Sequence, residues 1–139
     1  MKLPPLLALL GAVLTLPVFG SCELVDIAVA EKVLGPDVID TTTDPNSFCL
    51  FISSKTAAQF SVRTDTRALY DQVSIPQPFT LVDIGEAGRY HEYPKGGVAI
   101  QFAKGDTSVT IAVRILRNDG RDYLTLLLDI ARDFAAKMG

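Results

Sequence analysis

Residues 108–117 carry the plainest pattern in the chain. Val109, Ile111, Val113 and Ile115 fall at every second position, with Thr110, Ala112 and Arg114 between them. That period of two marks a strand with one apolar face. Residues 97–103 form a preceding strand, and Lys104-Gly105-Asp106 supplies the turn of an antiparallel hairpin. A second hairpin lies upstream. Over 48–53, Phe48, Leu50 and Ile52 alternate with Cys49, Phe51 and Ser53, and Phe60 and Val62 share a face over 58–64. Ser54-Lys55-Thr56 is the short polar connection. Residues 89–93 alternate weakly and read as a short strand. Residues 79–88 stay ambiguous, because Leu81, Val82 and Ile84 suit a strand while Gly85 and Gly88 favour a loop. The pattern predicts an antiparallel sheet of about five strands, wet on one face or partly covered by a helix.

Helical spacing takes over at the C-terminus. Across 121–138, Leu124, Leu127, Leu128, Ala131, Phe134, Ala135 and Met138 form a stripe, and Asp122, Asp129, Arg132, Asp133 and Lys137 face away. Asp119 is the expected N-cap. A short helix is predicted over 26–34, capped by Asp26, with Val29, Ala30, Val33 and Leu34 inward and Gly35-Pro36 as its stop. Residues 40–47 read as a polar loop. Residues 65–73 could hold a helical turn or two with Ala68, Leu69 and Val73 inward, ended by Pro76 and Pro78. The fold class is α+β: an antiparallel sheet with a short N-terminal helix and a C-terminal amphipathic helix packed on it.

The N-terminus sets the compartment. Lys2 precedes an apolar run over 3–19 broken only by Thr15 and prolines, and Val18 and Gly20 suit cleavage after Gly20. Residues 1–20 therefore read as a signal peptide, and 21–139 as a single α+β domain. An uncleaved anchor is the alternative, but Pro4, Pro5 and Pro17 interrupt a run already short of the about 20 residues a bilayer needs. The location implied is extracytoplasmic: periplasmic, cell-envelope or secreted. With 139 residues, 48% of them hydrophobic, the chain supports one modest core. Thirteen Lys and Arg against sixteen Asp and Glu give a net charge of −3, and loss of Lys2 makes the mature chain more negative still. No basic excess exists to neutralise phosphates, which argues against a nucleic-acid partner.

Cys22 and Cys49 are the only cysteines, and Cys22 has two incompatible fates. An even cysteine count in an exported chain favours a Cys22–Cys49 disulfide. Alternatively, Phe19-Gly20-Ser21-Cys22 loosely matches a lipidation box, although Phe19 stands where Leu, Val or Ala is usual. A lipid on Cys22 would anchor the chain and leave Cys49 unpaired. Beyond the signal or that lipid, no membrane attachment is implied.

The order of these features is suggestive. Cys22-Glu23-Leu24-Val25, the helix end Val33-Leu34-Gly35, Cys49 at the start of a strand, Gly85-Glu86-Ala87-Gly88, the Gly105-Asp106 hairpin and an Ala-bearing final helix occur in sequence. This resembles the small exported domains of actinobacterial lipoproteins of unknown function, which open with Cys-x-Leu-Leu, reach a Leu-Gly helix end and place a second Cys in a strand. Those lipoproteins usually carry a separate lipidated Cys upstream of the pair, which this chain lacks. The resemblance covers nearly all of the mature chain and implies a cell-envelope location and an α+β fold, with no established activity.

Candidate chemistry is sparse. His91 is the single histidine, flanked by Tyr90 and Glu92 and close to Tyr93. It could act as a general base or pH sensor, or sit on a strand as an ordinary surface residue. No Gly-x-Ser-x-Gly elbow occurs, and neither Gly85-Glu86-Ala87-Gly88 nor Gly96-Gly97 has phosphate-loop spacing. Asp37, Asp40 and Asp44 could offer oxygens to calcium, but the EF-hand pattern is absent, so they read as solvated loop acids and no metal is assigned. Arg114 and Arg117, with Arg121 beyond, could make a small basic edge, but charged edge residues also simply discourage strand pairing, which is the reading preferred. The candidate contact patch is Tyr90, His91, Tyr93 and Phe102, for an envelope protein or small ligand, unless these rings pack beneath the C-terminal helix. No catalytic residue and no cofactor is assigned. The expected role is non-enzymatic binding. The competing expectation is a small hydrolase or lyase joining His91 to Glu86 or Asp83.

Overall fold

Adjacent antiparallel strands build the sheet outward from its central hairpin. The computed structural model describes residues 20–72 and 75–138, so the segment before Gly20 that reads as a signal peptide, and Val73, lie outside the described residues. The strands are β1 (Val38–Asp40), β2 (Phe48–Ser53), β3 (Gln59–Thr66), β4 (Thr80–Val82), β5 (Ala87–Glu92), β6 (Val98–Lys104) and β7 (Thr107–Arg114). The helices are α1 (Ile27–Leu34), α2 (Arg67–Asp71) and α3 (Tyr123–Lys137), preceded by a 3-10 turn at Ser21–Glu23. The sheet has seven strands in the order β1-β2-β3-β7-β6-β5-β4, every pair antiparallel. The fold is α+β as expected, with seven strands in place of about five. β1 falls where a loop begins in the sequence pattern, and the ambiguous 79–88 segment contains β4. Each spans three residues, too short for a period of two to show itself.

Register decides which side chains meet. Cys49 pairs with Val62, Val62 with Ile111, and Ile111 with Ile100, which lines apolar residues across four strands on one face. Phe60, Val113 and Val98 form the neighbouring row. α1 and α3 pack on this face and bury Ala30, Val33, Leu127, Ala131 and Phe134 against it. α1 begins where Asp26 Oδ1 accepts from the Val29 N–H at 3.0 Å. It ends at Gly35, whose φ of +90° takes the chain out of the helix. The cap of α3 is Asp122, not Asp119: Asp122 Oδ1 accepts from the Thr125 N–H at 3.0 Å. An N-cap directly precedes the first helical residue and accepts from an amide two or three places inside the helix, which starts at Tyr123. Among the described residues, no helix is long and apolar enough to cross a membrane.

The opposite face is covered from its centre toward β5, where Arg89 and His91 are buried. At the centre α2 lies over β6 and β7. Tyr70 is the buried residue of α2, while Ala68, expected inward, is exposed. One helical turn presents a single residue to the sheet, and the long aromatic reaches furthest. Toward β1 and β2 this face is open, with Ile39 and Phe48 exposed. After β4, Gly85 turns the chain back at a φ of +61°, and a Cβ there would stand 2.7 Å from the Ala103 carbonyl oxygen. Only glycine fits both demands. A disulfide joins Cys22 to Cys49 with their Cα atoms 5.3 Å apart, tying the 3-10 turn to β2.

Candidate functional site

The pleat separates the four rings of the sequence-derived patch. Phe102 is 0% exposed on the core face, opposite Gly88 in β5 and Val109 in β7. Tyr90 pairs with Ile100 and packs partly buried against the same core. His91 and Tyr93 lie on the opposite side of the sheet, in edge-to-face contact with ring centroids 4.8 Å apart. The four residues therefore do not share one surface.

His91 belongs to a polar clamp. Its Nδ1–H donates to the Pro78 carbonyl at 2.7 Å, and only 8% of the residue is exposed. Two positions back, Arg89 Nε and Nη2 donate to Gln101 Oε1 at 2.9 and 2.6 Å, and Nη2 also reaches the Tyr70 carbonyl. The guanidinium lies 3.9 Å from the Tyr70 ring centroid and 5.2 Å from that of Phe79. Together Arg89 and His91 hold α2 and the segment around Pro78 against the sheet. Glu86 is engaged elsewhere, accepting from Arg67 Nη1 at 2.5 Å and from the Gly105 N–H at 3.1 Å. Those bonds hold its carboxyl below the ordinary carboxylate range. Asp83 is exposed. Asp37 pairs with Lys55 at 3.4 Å and Asp40 accepts from the Thr42 N–H. Among the described residues, no three His, Cys, Asp or Glu side chains are placed to hold a metal ion.

A different surface forms where three connections meet. Gln59 pairs with Arg114 and Val98 with Val113, so the 54–58 turn, the 93–97 turn and the 115–119 segment gather at one end of the sheet. β7 is a central strand, so Arg114 guards no sheet edge; it stands at the strand's end. Arg121 leaves this group altogether, its guanidinium donating to the Val33 and Lys32 carbonyls at the end of α1. Two grooves open here, separated by Ile115 and Leu116. One, of about 490 Å³, runs between Lys55, Ala58 and Arg117; the other, of about 340 Å³, between Tyr93, Lys95 and Arg114. Leu116 is 67% exposed between them. The Arg114 guanidinium lies over the Tyr93 ring at 4.4 Å. Among the described residues, Lys95, Arg114 and Arg117 stand in no salt bridge. Of these features, sequence reading found Arg114, Arg117 and Tyr93; Lys55, Lys95 and Leu116 carried no local signal.

Asp119 pins the groove wall. Its Oδ2 accepts from the Tyr123 hydroxyl at 2.5 Å and its Oδ1 from the Arg121 N–H at 3.1 Å. Partial burial alone pushes this carboxyl up, but the two hydrogen bonds and the nearby Arg121 charge outweigh it and hold it below the ordinary 3.8. The reciprocal effect raises Tyr123, through its own burial and then Asp119. A carboxyl lowered by folding adds stability that is present above its unfolded value and lost as pH falls through its lower folded value. Thermal unfolding measured from pH 6 downward is therefore expected to lose stability below about pH 4. Glu86 and Asp122 are lowered as well, so Asp119→Asn is expected to lessen that acid limb without abolishing it; an unchanged limb would remove Asp119 from its causes.

The chain matches no protein-family model, no curated protein and no solved structure.

Proposed function

We propose that this is an exported cell-envelope domain that binds a partner protein or small ligand without transforming it, and that the contact is made at the sheet end around Leu116. The observation that carries the reading is the convergence of two grooves on an exposed leucine, ringed by three cations outside any salt bridge among the described residues. Clefts of this volume that set apolar surface, here Ile115 and Leu116, beside charged and polar groups suit ligand binding. The groove's carboxylate, Asp119, is already held by Tyr123 and Arg121, which favours holding over proton transfer. Export is supported by the Cys22–Cys49 bond, since disulfides persist in oxidising compartments. The same bond occupies the thiol that lipidation would require.

The test uses the full chain in its native host, with a photo-crosslinking side chain at position 116 and, as control, at position 81 on the far edge, where Leu81 is 74% exposed. Discrete adducts from position 116 alone are expected, on a protein whose N-terminal sequence begins at Ser21. Equal or absent labelling from the two positions would defeat the binding surface, and an intact Met1 would defeat the processing.

A further inference from the structure

We propose that the grooves flanking Leu116 bind an acidic amphiphile, its carboxylate or phosphate held by Arg114 with Lys95 or Arg117 and its apolar body laid along Ile115 and Leu116. This rests on the contact end argued above and names the chemistry of its ligand. The charge distribution is the first argument. The chain is net acidic at −3, yet Lys55, Lys95, Arg114 and Arg117 collect at one end. The carboxylates nearby are largely committed: Asp37 to Lys55, and Asp119 to Tyr123 and Arg121. Glu92 is exposed at the end of β5, on the core-facing side of the pleat, opposite the side that carries Arg114. Among the described residues, Lys95, Arg114 and Arg117 therefore stand without a carboxylate partner, and an anion is what they can accept.

Arg114 is the anchor because its guanidinium is already oriented. Stacking on Tyr93 covers one face and leaves the planar fork of N–H donors for a bidentate anion. A bare inorganic anion would use these donors and leave Ile115 and Leu116 uncovered. An acid with a hydrocarbon body satisfies both. Each groove, at about 490 and 340 Å³, has room for such a body.

The experiment titrates the disulfide-bonded protein with dodecanoate and dodecyl phosphate below their micelle concentrations. Dodecylphosphocholine, inorganic phosphate and vesicles of phosphatidylglycerol or phosphatidylcholine serve as the other arms. Saturable binding of the two acidic monomers is expected, with amide shifts confined to 54–58, 93–97 and 113–119. The zwitterionic probe should bind about tenfold more weakly, and Arg114→Gln with Arg117→Gln should cost about as much, the scale of losing hydrogen bonds to a charged group. Leu116→Ser should also weaken binding, while Leu81→Ser should not. All four positions are exposed, so unchanged melting temperatures would show that the variants fold. Equal binding of acidic and zwitterionic probes, or indifference to the double Arg variant, would overturn the proposal. Binding to phosphatidylglycerol vesicles without binding of monomers would overturn the groove site but leave the contact end standing. Loss of crosslinking at position 116 would remove the contact end itself.

Discussion

Cys22→Ala with Cys49→Ala is expected to lower the unfolding free energy by about 3–4 kcal/mol, the chain-entropy cost of releasing a loop of this size. The two residues are 27 positions apart, and the loop they close contains all of α1 and β1. Without the bond, the 3-10 turn keeps the Ser21 hydroxyl, which accepts from the Thr64 N–H at 3.0 Å, and backbone bonds to Pro45 and Asn46. Those contacts cannot restrict the unfolded chain as a covalent link does. Domains of this size hold about 5–15 kcal/mol in total, so the loss takes a large share. Urea unfolding of the native, reduced and double-alanine proteins measures it. Reduced and double-alanine proteins should coincide, and a native protein no more stable than either would mean that the bridge does not constrain the chain.

Phe102→Ala is expected to cost about 3–5 kcal/mol, the range for emptying a fully buried aromatic position. Phe102 has no exposed surface and belongs to the cluster joining Val109, Ile111 and Phe134 beneath α3. The ring stands on the face away from His91, so its removal should act through stability. The urea midpoint should fall while the m-value holds, and the folded fraction should bind at the Leu116 end with unchanged affinity. A small stability effect with lost binding would return Phe102 to the contact surface. The comparison separates a core aromatic from a binding aromatic, which sequence alone left open.

Much of the architecture was legible because its signals are local. The alternation of Val109, Ile111 and Val113, the stripe from Leu127 to Phe134, and the stop at Gly35 each occupy one segment and depend on no distant partner. The two cysteines also announced the pairing the structure contains, with lipidation as its open rival. β1 escaped because three residues cannot display a period, and it is a strand only because β2 offers it an edge. The N-cap of α3 is Asp122 and not Asp119 because the helix begins at Tyr123, later than the start at 121 that the pattern suggested; Asp119 instead accepts from the Tyr123 hydroxyl.

By itself, then, the sequence determined the longer elements, their order and the α+β class, since those follow from spacing along the chain. Only the tertiary structure decided who meets whom. Tyr90 and His91 are neighbours in sequence but stand on opposite faces, because successive side chains of a strand point apart. Lys55, Lys95 and Arg114 are far apart in sequence but share one end, because antiparallel register carries the 54–58 and 93–97 turns to the close of β7. A groove made of three connections exists only once the strands beneath them are aligned, and that alignment is set by the burial of the opposite face.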